Sequence, residues 1–293
     1  MSIFYNTTQR STMKRITVII MALFALVIMS FTDAVSADAA SASKLSTPKM
    51  TAEKTYDSSA THPYNKQTNT LTVNWGKVSG AQRYELYIKG GKYSKWTKYK
   101  VVTANKCTVS NLKRTTEYQF KVRAVNGNKY SAYSGVQKLK TARMDYDKDG
   151  WAAMCRIVYH EVGAIDDDMW DRPIVYVADC VANQYVGAKY VNNKTWAPYY
   201  RRYSSVQQVI YNSGGFMSSA GLARDGAVYS RVPKKVKLAV WGAVYGKTTY
   251  KGIKNDYNVY FWCNNSYRNY SSKVAYAFRI PWGYFHVWRS YWG

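Results

Sequence analysis

The chain has 293 residues, of which 47% are hydrophobic, enough for about two domains with buried cores. It carries 42 Lys and Arg against 17 Asp and Glu, a formal charge of +25, and its 16% aromatics include 29 Tyr and 10 Trp. Four cysteines without a metal-ligand spacing and only three histidines (His62, His160 and His286) argue against a disulfide-built scaffold and a metal centre. No phosphate-cradling glycine motif follows a strand, so no cofactor is expected.

In chain order, Arg10, Lys14 and Arg15 precede an apolar run from Ile16 to Phe31 and then a string of small residues. That is the pattern of a secretory signal, expected over residues 1–39. The run falls short of the roughly twenty residues that cross a bilayer, so no stable membrane span is expected after cleavage. Loss of three basic and two acidic leader residues takes the charge from +25 to +24. An exported cation of this kind suits the phosphates and carboxylates of a bacterial wall, and anionic wall polymers are expected partners. Nucleic acid is not; capture of DNA at the cell surface rests on charge alone.

Residues 44–142 show short alternating runs divided by turns. Leu71–Trp75, Tyr84–Ile88 and Tyr118–Val125 read as strands, and Tyr56 to Thr70 as a long loop. Pro48, the core position of Trp75, Leu112 followed by Tyr118, and Tyr133-Ser134 resemble a fibronectin type III domain. The resemblance implies an all-β sandwich acting as spacer or adhesion module. No candidate site residue lies here, so the following half is expected to fold and act without it.

From residue 145 to 293 the periodicity turns helical. Met154, Cys155, Val158 and Val162 follow Trp151 on one stripe. A second helix is expected from Asp171-Arg172-Pro173 to Gly187, a short one from Ser204 or Ser205, and another from Ser230 as cap to Gly246. Tyr257–Trp262 and Val274–Trp288 read as short strands or extended loops. Asp145, Asp147 and Asp149 imitate the start of a calcium loop, but Arg156 stands where the closing glutamate belongs, so helix capping is the expected role. Cys155 and Cys180 fit either core thiols or one disulfide.

Glu161 is the one glutamate of this half, at the edge of the apolar stripe near a helix end. A carboxyl partly withdrawn from water suits a general acid; a solvated helix-end glutamate is the plain alternative. The run Cys155-Arg156-Ile157-Val158-Tyr159-His160-Glu161 resembles the opening motif of the SleB-type cell-wall hydrolases, the spore-cortex-lytic family. Val177 to Gln184, Val209-Ile210 with Gly215-Phe216 and Ser218, Val259-Tyr260-Phe261 with Asn264, and Gly283 to Trp288 with His286 are similar to its later motifs, in order. Val162, Gln184 and Tyr284-Phe285 depart from the pattern.

The resemblance implies a mainly α (α+β, lysozyme-like) hydrolase domain that cuts the glycan strands of peptidoglycan as a lytic transglycosylase or muramidase-type enzyme. Glu161 would be the catalytic acid. Asn183, Phe216, Ser218, Tyr260, Asn264 and His286 would bind substrate, with Asn183 holding an N-acetyl group or orienting Glu161. Phe216, Tyr260, Trp262 and Trp282 are candidates for stacking on sugar. The competing expectation is a non-catalytic wall-binding or adhesion protein.

Overall fold

Buried residues alternate along β2 (Arg83–Gly90) and β5 (Glu117–Asn126), as a sheet covered on one face requires. The computed structural model of the protein, described for residues 45–57 and 59–290, pairs these strands antiparallel, Leu86 opposite Val122 and Ile88 opposite Phe120. β3 (Tyr93–Val102) flanks β2, while β6 (Lys129–Tyr130) and β7 (Gln137–Lys140) pair with β5. The facing sheet is β1 (Leu71–Asn74) with β4 (Lys106–Val109).

Between the sheets lies a core of Leu71, Val73, Trp75, Leu86, Tyr118 and Phe120. The Tyr118 hydroxyl accepts from the Lys113 amide at 2.8 Å, which makes the corner expected from Leu112 and Tyr118. Gly90 sits at φ +120°, where a Cβ would meet the Glu117 carbonyl at 2.6 Å; no other residue fits that approach. The leader expected over residues 1–39 lies outside the described residues.

The second half begins with α1 (Lys148–Val158), whose N-terminus is capped by Asp147 accepting from the Gly150 amide at 2.7 Å. Capping, as expected, is what this aspartate does. α1 runs on into a π-turn, Tyr159–Gly163, and after a 3-10 turn at Asp168–Trp170 the chain enters α2 (Asp171–Lys189). Every residue of α2 from Pro173 to Ala188 is buried, which makes it the central helix. It passes through Gly187, where the apolar stripe suggested an end.

α3 (Ala197–Tyr200), α4 (Val206–Asn212) and α5 (Ser219–Arg224) follow; Ser205 and Ser218 cap the last two. α6 (Lys234–Tyr245) ends on Gly246 at φ +61°. Ser230 is not its cap but part of the 3-10 turn Tyr229–Arg231. The reason is Pro233: it drives the preceding Val232 out of the helical region, to ψ 118°, so the helix starts only after it. β8 (Phe261–Asn265), β9 (Val274–Ile280) and β10 (Gly283–Trp288) form an antiparallel sheet with β10 central. Tyr176 of α2 stacks on Tyr276 of β9, centroids 4.2 Å apart.

The two halves are tied together by the stretch read as a loop. Gln67 brackets Tyr146, donating to its carbonyl at 2.6 Å and accepting from its amide at 3.2 Å. Asp145 accepts from both the amide and the hydroxyl of Thr68. His62, 1% exposed, packs on Tyr245 at 4.6 Å and meets the Glu53 carboxylate at 2.5 Å, while Glu53 also accepts from Lys247 at 2.7 Å. Ala142 and Met144 belong to the helical core. These contacts run against the expectation of two halves independent of each other, because His62 is buried against Trp241 and Tyr245 of α6 while Glu53, Gln67 and Thr68 bond Lys247, Tyr146 and Asp145.

Candidate active site

The π-turn carries Glu161. A π-turn accommodates one residue more than an α-turn and is a form often met at functional positions. Glu161 is half-buried, and its Oε2 accepts from the Trp262 indole N–H at 2.9 Å. This bond fixes the direction of the carboxyl group. Trp262 comes from β8, and the Phe216 ring lies 6.3 Å from it at 32°. Together with Gln184, Trp196, Tyr200 and Phe261 they bound a cleft of about 230 Å³.

The walls of this cleft are held from behind. Gln184 donates to the Tyr260 carbonyl at 2.6 Å and accepts from the Tyr200 hydroxyl at 3.0 Å, so its amide orientation is set. Trp196 stacks on Tyr200, 5.4 Å apart and nearly parallel. Arg156 of α1 donates to the Ala227 carbonyl, the Tyr211 hydroxyl and Ser219, and so anchors α4 and α5 on either side of the segment bearing Phe216. No carboxylate is among the residues lining the cleft.

The expected site residues divide into three groups. Glu161 and Phe216 come together through Trp262. Asn183 and Tyr260 line a different cavity, which also draws on α2. Asn183 does not orient Glu161: its side chain accepts from Arg143 at 2.6 Å and donates to the carbonyls of Asp256 and Val259. Tyr260 meets the cleft's walls from outside, its carbonyl on Gln184 and its ring 6.0 Å from that of Trp196.

Ser218, Asn264 and His286 lie in other settings. The Ser218 hydroxyl caps α5 through the Gly221 amide at 3.1 Å. Asn264 is exposed on β8, opposite Phe285. His286 is wholly buried in β10, its Nε2 accepting from the Asn269 amide at 2.9 Å and its Nδ1 without a partner among the described residues. Burial, with Arg268 adding to it, holds that imidazole below the usual histidine range. Trp282 is exposed beside Trp170.

Cys155 and Cys180 are free, buried thiols, and burial pushes both up, out of reach of ionisation near neutrality. Among the described residues no group of His, Cys, Asp and Glu is placed to hold a metal ion. Sequence reasoning passed over Gln184, read only as a departure from a motif, and Trp196 and Tyr200. The dense aromatic run from Trp196 to Tyr200 was the signal available for the latter two.

Comparison with known proteins bears on the N-terminal half. The family model of the fibronectin type III domain matches residues 61–137, and that stretch is a fibronectin type III domain preceding a helical C-terminal region. Among solved structures, a variant of FN3tt is 24% identical over 33% of this chain and 96% of its own, with a TM-score of 0.26. A Fn3-like protein from Clostridium thermocellum is 19% identical over 31% of this chain and 88% of its own, with a TM-score of 0.25. The fibronectin type-III domain of human fibronectin type III domain containing protein 3 is 25% identical over 34% and 84%, also with a TM-score of 0.25. No curated protein matches the chain.

Proposed function

We propose that this is an exported enzyme that cleaves the glycan strands of peptidoglycan in a bacterial wall, with Glu161 as general acid and then base. The observation that carries the reading is the Glu161–Trp262 pair, set on a π-turn at the edge of an aromatic cleft. Aromatic walls suit the apolar faces of sugar rings, and the polar Gln184 amide suits an N-acetyl group.

Hydrolysis at a glycosidic bond ordinarily takes two carboxylates, one acid and one base or nucleophile. No carboxylate lines the cleft itself, and Glu161 is brought to its edge by the bond to Trp262; a single acid there favours intramolecular transglycosylation. Glu161 gives its proton to the glycosidic oxygen as the bond to the anomeric carbon breaks. The resulting carboxylate takes the proton of a hydroxyl on the same sugar as its oxygen closes onto that carbon, leaving an anhydro end and regenerating the acid. No water is consumed.

A second reading, wall adhesion without catalysis, draws support from the sandwich surface. Lys121 lies 4.1 Å from the Tyr133 ring and 4.7 Å from that of Trp96, and Arg123 lies 4.1 Å from that of Tyr130. Such cation–aromatic ladders suit polyanionic glycan. Digestion of purified sacculi by the full chain, with mass analysis of the fragments, separates the two readings. Anhydro ends, lost at least a hundredfold in Glu161→Gln while wall binding persists, are expected. Undiminished cutting by Glu161→Gln refutes the role of Glu161, and binding without fragments favours adhesion.

A further inference from the structure

A second cavity, about 580 Å³, lies where the two halves meet and shares α2 with the Glu161 cleft. The sandwich contributes Arg114 and Lys140, and the helical half contributes Arg143, Tyr257 and Tyr260. No Asp or Glu lines it. Among the described residues none of the three cations has a carboxylate partner within ion-pair distance. Arg114 donates to the Arg143 carbonyl at 2.9 Å, Lys140 to the Gly246 carbonyl at 2.7 Å, and Arg143 to the Ala243 carbonyl at 2.8 Å and to Asn183. These neutral acceptors fix the cations in place and leave N–H groups of each free for a further acceptor.

Three positive charges converging on a cavity that no carboxylate lines is a costly arrangement. Arg143 is 6% exposed, and burial pulls it below the usual arginine range; the charge of Asp179 offsets this in part, and Arg114 adds to the lowering. Burial and then Lys247 lower Lys140. The nearest acids offer little relief. Asp179 is engaged with Asn255 and the Asp256 amide, and burial drives it toward its neutral form; Glu117 acts on Lys140 only through space. An anion received among the three would relieve their mutual repulsion.

The geometry favours a particular anion. The Arg143 guanidinium lies over the Tyr257 ring at 4.2 Å and that of Arg114 over Tyr190 at 5.2 Å, so both planar forks are held by their faces. Two forks and an ammonium match the several terminal oxygens and up to two charges of a phosphate group better than the two oxygens of a carboxylate. Thr115, Asn193 and Asn258 on the same walls supply neutral polar groups for hydroxyls. We infer that the junction cavity binds a phosphate ester of a polyol or sugar, its phosphate held by Arg114, Lys140 and Arg143. This assignment is independent of the role given to Glu161.

The test is calorimetric titration of the full chain, at fixed ionic strength, with inorganic phosphate, glycerol phosphate, a short poly(glycerol phosphate) and acetate. Saturable binding of the phosphates is expected, weakened at least about tenfold by Arg114→Gln and again by Lys140→Gln, since each removes a charge-assisted contact. Both side chains are only half-buried, so these variants should keep the fold. A control pair, Lys95→Gln with Lys129→Gln, removes the same charge from exposed positions elsewhere and should bind as the parent does. A polymer that binds more tightly than its repeat count explains identifies a wall polymer as the source, and equal intrinsic affinity identifies a soluble phosphate ester. Absence of saturation, equal weakening in the control pair, or acetate binding as tightly as phosphate overturns the inference.

Discussion

Replacing Asp179 by Asn should change how stability depends on pH while leaving the central helix in place. Asp179 is 0% exposed in the middle of α2; its two oxygens accept from the Asn255 side chain at 2.7 Å and the Asp256 amide at 2.8 Å. Burial nevertheless outweighs these bonds and the charge of Arg143, pushing the carboxyl from 3.8 up to about 7. Between those values the folded chain holds a proton that the unfolded chain has released. Stability tied to Asp179 is therefore intact below pH 3.8, falls as the pH rises toward 7, and stays at the lower level above. At about 1.4 kcal/mol for each tenfold in proton affinity, the whole fall is about 4 kcal/mol.

An asparagine cannot titrate, so the variant lacks this slope. It meets one unfavourable contact, its amide N–H facing a donor where the carboxylate accepted, an offset of about 1–3 kcal/mol that does not vary with pH. Other groups titrate in the same range. Burial raises Glu53, but His62 and Lys247 outweigh it and hold this carboxyl below its usual range, so its contribution is lost as the pH falls. The quantity to read is thus the difference between parent and variant in urea-unfolding free energy, from about pH 4 to about pH 8. It should move toward the variant by up to about 4 kcal/mol as the pH rises. A flat difference, or one moving toward the parent, would mean that Asp179 is ionised throughout and held by Arg143, and the reasoning fails.

Trp262→Phe should keep the cleft's shape but remove the N–H held by Glu161; an activity loss of about tenfold or more on sacculi, with an unchanged melting temperature, is expected. Gly283→Ala should cost at least about 2 kcal/mol in thermal or urea unfolding, because Gly283 sits at φ +142° with a Cβ position 2.1 Å from the Asn265 carbonyl. Deleting residues 45–142 should lower the melting temperature of the remaining half and uncover Trp241 and Tyr245, which pack on His62 in the full chain; a half that melts with the parent would show that the strap contributes nothing. Binding to isolated walls should weaken steeply with added salt, as a chain of charge +25 before leader removal implies, and salt-insensitive retention would point to the aromatic surface instead.

The sandwich was legible because its strands alternate at a period of two and its turns are marked by glycine, and because Trp75 and Tyr118 occupy positions that few other folds demand. β3 was not, since Tyr93 to Val102 is exposed or half-exposed along its length and shows no apolar alternation. Glu161 stood out by being solitary on an apolar stripe. Its partner could not be read: Trp262 is 101 positions away, on a strand whose register is set by β10. α2 is the instructive failure. Periodicity assigns a face only when one side of a helix meets water, and α2 is buried all round. Nothing in its sequence told Asn183, which holds Arg143, from Gln184, which walls the cleft.

That one-residue step has a structural consequence. Neighbours on a helix point about 100° apart, so Asn183 and Gln184 serve two cavities from one turn of α2. The segment they hold is also shared: Asn183 bonds the carbonyls of Asp256 and Val259, and Gln184 bonds that of Tyr260. The Tyr260 ring meanwhile faces the cationic cavity and stacks 6.0 Å from Trp196, a wall of the Glu161 cleft. The chain entering β8 is therefore clamped from α2 at three carbonyls, those of Asp256, Val259 and Tyr260, and the strand it feeds carries Trp262, the residue that aims Glu161. Arg143 completes the frame, because its guanidinium joins Asn183 to the Ala243 carbonyl at the end of α6 and its amide bonds the Val244 carbonyl. The same buried cation thus fixes the floor of the junction cavity and the helix behind the aromatic cleft, and Arg114 and Lys140 of the sandwich bond the Arg143 and Gly246 carbonyls beside it, so the sandwich, though it supplies no residue to that cleft, is built into the frame around it.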